Sequence, residues 1–88
     1  MGDLLTALAA THLEEVVSNN PGNDKARKLL ASVRLEQGDP AKALELLEPL
    51  MAAGTDDAEL LAMAGAANIR SGNPEVGLEL MERGMEIG

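Results

Sequence analysis

From Leu4 to Val17 the apolar residues Leu5, Leu8, Ala9, Leu13, Val16 and Val17 return at steps of three and four, the spacing that lines one face of an α-helix. Ser18-Asn19-Asn20-Pro21-Gly22-Asn23 gathers turn formers and predicts the end of that helix. A second helix is predicted from near Asp24, with Ala26, Leu29, Leu30, Val33 and Gln37 on one stripe and Lys25, Lys28, Ser32 and Glu36 on a neighbouring polar one. Gly38 closes it, because glycine takes positive φ without a steric cost. Asp39 then caps a third helix and Pro40 fills its first position, where a missing N–H costs nothing. The apolar set there is Ala43, Leu44, Leu46, Leu47, Leu50 and Met51, with Pro49 inside the run and expected to bend it by removing the bond to the Glu45 carbonyl. Asp56, three residues before Glu59, predicts the cap of a fourth helix running to about Ser71. Asn73-Pro74 opens a fifth, carrying Val76, Leu78, Leu80, Met81 and Met85. The expectation is an all-α chain of five helices with no strand.

One stretch comes back. Gly38-Asp39-Pro40-Ala41-Lys42-Ala43-Leu44 recurs as Gly72-Asn73-Pro74-Glu75-Val76-Gly77-Leu78, an offset of 34 residues. Small residues follow the same period at Ala9, Ala43 and Gly77 and at Ala31 and Gly65, and bulky ones at Leu13, Leu47 and Met81. This register resembles the tetratricopeptide repeat family, whose 34-residue unit is a helix-turn-helix with small residues where its two helices touch. The resemblance implies a right-handed superhelical stack of antiparallel helix pairs in a single domain over 1–88. An orphan second helix would occupy 4–18, followed by full repeats at 24–57 and 58–88. Pro21 sits at the family's terminal proline position and Thr55 replaces it one period on. Arg27 and Arg34 in one repeat, and Leu61 and Asn68 in the other, stand where the family carries large or aromatic first-helix residues. The packing is therefore expected to be thin. Gly65, Gly77 and Gly84 each cost about 1 kcal/mol against Ala inside a helix, so the last helix is expected to be the least stable.

Composition narrows the function. The chain is 45% hydrophobic with no Phe, Tyr or Trp, so the core must come from Leu, Ala, Val, Ile and five Met. A net charge of −8 argues against nucleic acid and anionic membrane as partners, although residues 23–37 carry a local excess of +2 from Lys25, Arg27, Lys28 and Arg34 against Asp24 and Glu36. There is no Cys for a disulfide or thiolate metal site, and no run approaches the roughly 18 apolar residues of a membrane span. Met1 to Ala10 lacks the basic start of a signal peptide, and the Met1-Gly2 opening and the Gly88 end suggest a piece of a longer protein.

Candidate chemistry is sparse. His12 is the one histidine, and Glu14-Glu15 and Asp56-Asp57 are explained by solvation and capping, so neither a metal site nor a catalytic pair is expected and no cofactor is implied. Stacked pairs line a concave groove with their first helices. On this register the groove residues are Lys25, Lys28, Ser32, Leu35 and Glu36 from one unit and Glu59, Ala62, Ala66, Ile69 and Arg70 from the next. Lys25 and Lys28 suggest an acidic ligand such as the carboxylate held by some family members. Ser32, Ala62, Met63 and Ala66 stand where that clamp needs asparagine, and it is not supported. The expected function is a noncatalytic module that binds a protein or peptide segment; the alternative is a spacer of a longer solenoid with no ligand. Leu80, Met81 and Met85 on a last helix with nothing after it predict a homo-oligomer by end docking or helix exchange. The wording of residues 35–50 is also similar to long bacterial tetratricopeptide lipoproteins of exopolysaccharide and exosortase systems. That resemblance implies a periplasmic or outer-membrane-anchored parent; without it, the cytoplasm is expected.

Overall fold

The computed structural model describes residues 4–55 and 57–87. Five helices follow one another: α1 (Leu4–Asn19), α2 (Asp24–Glu36), α3 (Pro40–Ala52), α4 (Ala58–Arg70) and α5 (Pro74–Ile87). Each packs on the next, and α2 also meets α4 directly. The result is a stack of about 34 × 28 × 19 Å in which α2 and α4 lie side by side as inner helices, with α1, α3 and α5 outside.

The turns that define the period are built by one hydrogen-bond pattern. Gly38 has φ 77°, its N–H donates to the Leu35 carbonyl at 3.1 Å, and the Asp39 N–H reaches back to Arg34 at 2.9 Å. Gly72 has φ 94°, and Gly72 and Asn73 donate to Ile69 and Asn68 at 3.2 and 2.8 Å. Both are Schellman closures, in which a left-handed glycine lets two N–H groups satisfy the last free carbonyls of a helix. The helix starts are capped from side chains. Asn23 accepts from the Ala26 amide at 3.1 Å and Asp39 from the Lys42 amide at 3.3 Å. At α4 the capping group is Asp57, which accepts from Glu59 and Leu60. The expected cap Asp56 lies outside the described residues. α3 remains one helix through Pro49, which shares an exposed side with Glu45, where a carbonyl without its N–H can be hydrated.

The core is small-residue packing. Ala31, Ala43, Leu47, Leu60, Ala64 and Ala67 form one buried cluster, and Leu47 and Leu61 are the largest side chains fully enclosed. The predicted stripe of α2 is corrected at Leu29, which is exposed, while Ala31 is buried in its place. On α1 only Ala10 is buried; Leu5 is 76% exposed and Ala9 is also in solvent, unlike its counterparts Ala43 and Gly77. The reason is positional. Ala43 shares its buried cluster with Ala31 of the preceding inner helix, and no helix precedes α1 among the described residues.

The last unit corrects the expectation of thin packing. A Cβ placed on Gly77 would lie 2.5 Å from both the Gly65 carbonyl oxygen and Ile69 Cγ1, and one on Gly65 would lie 2.7 Å from Met81 Cγ and 2.8 Å from the Gly77 oxygen. Gly84 sits against Ala58 and Leu61 at the other end of the same antiparallel pair. The glycines are therefore the contact surface between α4 and α5. Their cost in helix propensity is offset by closer approach of the two backbones.

Candidate functional site

The inner face is formed where α2 and α4 run side by side, and its two ends are pinned by different chemistry. At the N-terminal ends Lys28 Nζ lies 2.8 Å from Asp57 Oδ2 and 3.2 Å from Glu59 Oε1. The hydrogen bond to Asp57 raises the Lys28 pKa above its ordinary value, outweighing partial burial, and the same bond holds Asp57 below its own. At the C-terminal ends Arg70 Nη1 donates to the Leu35 carbonyl at 3.1 Å, binding the last turn of α2 to the last turn of α4.

Of the uncharged residues expected on this face, Ala62 and Ile69 are exposed and Ser32, Leu35 and Ala66 half-buried. Lys25 and Glu36 are exposed on α2 and Glu59 on α4. All ten predicted groove residues thus have some solvent access, but they are not equivalent. Lys28, Glu59 and Arg70 are engaged in holding α2 to α4. A depression of about 450 Å³ at the N-terminal end, reaching to Leu50 and Leu60, brings Lys25 and Lys28 together with Asp24 and Asp57. Two cations facing two carboxylates do not make an anion site, which removes the physical basis for an acidic ligand there.

The arginines that replace aromatic residues have structural partners. Arg27 Nε donates to the Leu46 carbonyl at 3.1 Å, tying α2 to α3. Arg34 Nη2 meets Glu14 Oε2 at 2.8 Å and its Nη1 donates to Gln37 Oε1 at 2.9 Å, tying α2 to α1. Glu14 is thus not merely solvated. His12 is exposed on α1, and no group of three or more metal-ligating side chains forms among the described residues.

With the helix pairs, their small-residue contacts and the 34-residue closures in place, comparison with known families is decisive. The tetratricopeptide repeat profile matches residues 5–67, well over half of the chain. The chain belongs to the tetratricopeptide repeat family. Tetratricopeptide repeats are in general protein–protein interaction modules, and that is the class in which this helical stack falls. A search of curated proteins finds no match, and the finer similarity to exported bacterial lipoproteins gains no support. No helix among the described residues is long and apolar enough to cross a membrane.

The sequence pattern missed one part of this tetratricopeptide stack. Two grooves run on the outer face, one between α1 and α3 over α2, the other between α3 and α5 over α4. They are related by the 34-residue period, and their signal was present in the exchange of Arg34 for Asn68 at equivalent positions.

Proposed function

We propose that this chain is a noncatalytic binding module whose inner face, between α2 and α4, receives an uncharged, largely apolar protein segment. The observation that supports this reading is the seam pinned at Lys28–Asp57 and at Arg70–Leu35, beside which the residues expected on this face, Ser32, Leu35, Ala62, Ala66 and Ile69, are uncharged and at least partly exposed. Small side chains leave room for an incoming backbone, and the pins hold the face in one shape, which lowers the ordering cost of binding. Lys25 and Glu36 at the margins supply orientation. The test is pull-down from the source cell with wild type and Ala62→Arg/Ala66→Arg. Both positions belong to the proposed face, so retained helical content with loss of captured partners is the expected result. Unchanged capture of every partner would remove the inner face from consideration. Lys28→Glu and Arg70→Glu are poorer probes, since they would disturb the α2–α4 seam itself.

A second reading, self-association, rests on the uncovered ends. Ala58, Ala62, Met81, Gly84 and Met85 border an apolar depression of about 340 Å³. One period earlier the same surface contains Leu47, Leu50 and Met51, and there α4 covers it, leaving Leu47 fully buried. Met81, the counterpart of Leu47, is only half-buried, and Met85, the counterpart of Met51, is 79% exposed. Docking of a second copy on this end would bury what α4 buries in the first unit.

A further inference from the structure

The two outer grooves are related by the 34-residue period, and they differ in what faces a shared carboxylate. The groove between α1 and α3 encloses about 280 Å³ and is bordered by Glu14, Val17, Leu30, Arg34 and Leu46. The groove between α3 and α5 encloses about 290 Å³ and is bordered by Glu48, Met51, Ala64, Asn68 and Leu80. Each of these five positions is its counterpart plus 34. In the first groove the Arg34 side chain, only 14% exposed, brings its guanidinium to the Glu14 carboxylate at 2.8 Å. In the second the carboxylate is kept as Glu48 while the guanidinium is gone. Asn68 is too short to replace it, and its Nδ2 turns back to the Ala64 carbonyl of its own helix at 2.9 Å. Glu48 is exposed and has no ion-pair partner among the described residues. The floor side chain also changes, from Leu30 to Ala64, beside a surface of Leu44, Met51 and Leu80.

We propose that the groove between α3 and α5 is a binding site for an arginine-bearing protein segment, whose guanidinium pairs with Glu48 as Arg34 pairs with Glu14, and whose neighbouring apolar side chain rests on Leu44, Met51 and Leu80. Arginine is favoured over lysine because its planar fork can engage a carboxylate through two parallel N–H bonds while its stem lies on apolar surface. The groove volume is close to the lower end for ligand pockets, about 300 Å³, so it takes one or two side chains and not a whole cofactor. This site lies on the opposite side of α4 from the inner face and does not depend on that face being functional.

The probe is N-acetyl-leucyl-arginine amide, titrated into the 88-residue chain labelled with ¹⁵N. Saturable shifts in the millimolar range are expected at the amides of Glu48, Ala64 and Asn68, with none at Glu14 or Arg34, where the guanidinium is already supplied. The citrulline analogue, equal in shape but uncharged, is expected to bind about tenfold more weakly. Asn68→Arg rebuilds the internal pair and should abolish binding while raising the melting temperature. Glu48→Gln, at an exposed position that cannot endanger folding, should weaken binding to the level of the citrulline analogue. Shifts that fail to saturate, that centre elsewhere, or that are unchanged by Glu48→Gln or by citrulline would each overturn the proposal. Ala62→Arg/Ala66→Arg should leave this titration unaltered, which separates it from the fate of the inner face.

Discussion

At the scale of single residues, Asp57 joins two functions that are usually divided. Its Oδ1 accepts from the Glu59 and Leu60 amides at 3.0 and 3.4 Å while Oδ2 meets Lys28. Asp57→Asn keeps a capping oxygen and removes the ion pair, so it should cost less than about 1 kcal/mol in urea denaturation at neutral pH. Asp57→Ala removes both and should cost about 1–2 kcal/mol more. The pH dependence follows from the direction of the shifts. Because Asp57 is depressed when folded, its contribution is present above its ordinary value of 3.8 and is lost as pH falls through the lower folded value. Because Lys28 is raised, its share is present below 10.5 and is lost as pH climbs through the higher folded value. The wild type and Asp57→Asn should therefore converge in stability in strong acid and differ most near neutrality. The sequence displayed Lys28 and Arg70 as groove cations, but a list of charges does not say which helix ends meet. Their partners, Asp57 and the Leu35 carbonyl, lie 29 and 35 residues away and become visible only when α2 and α4 are set side by side.

At the scale of helices, the pair α4 and α5 turns an apparent weakness into a requirement for glycine. Gly77→Ala would gain about 1 kcal/mol of helix propensity but would press a methyl group on the Gly65 carbonyl and Ile69, so the expected net loss is about 1–2 kcal/mol. Gly84→Ala meets its nearest atom, the Ala58 oxygen, at 3.2 Å, and a shift of a few tenths of an ångström would accommodate it. That variant should lie within about 0.5 kcal/mol of wild type, since the propensity gain offsets the crowding. Thermal denaturation of the two variants side by side checks the contrast. Helix number and order, and the starts of α3 and α5, were legible from caps and period, because Asp39-Pro40 and Asn73-Pro74 act through local chemistry; at α4 the cap falls on Asp57 and not on the expected Asp56. The sense of the glycines was not, since propensity counts what a residue loses alone and says nothing of the backbone that approaches it. The same limit applies to Leu29 and Ala9, whose exposure is decided by which neighbouring helices are there to cover them.

At the scale of the whole molecule, the chain resembles a length of stacked helices with both ends open. Leu4, Leu5 and Leu8 at one end and Leu78 and Met85 at the other are largely exposed. Light scattering should give a mass that rises with concentration, and Leu78→Glu/Met85→Glu should return it to that of a monomer while leaving the helical circular dichroism intact. A monomeric mass for the wild type at high concentration would rule out self-association through these ends. The fold class was readable from the 34-residue offset alone, whereas the division of labour between inner face, outer grooves and ends required the coordinates. The paired glycine closures at 38 and 72 have a further consequence. Because each ends an inner helix with the same hydrogen bonds and hands over to an Asp-Pro or Asn-Pro start, the peptide bonds before Pro40 and Pro74 are interchangeable joints. Residues 40–73 thus form a cassette that could be copied in tandem at Asn73 without breaking any hydrogen bond of either turn. Lengthening by duplication, with helical signal growing in proportion to the copies added, is built into the chemistry of the joints.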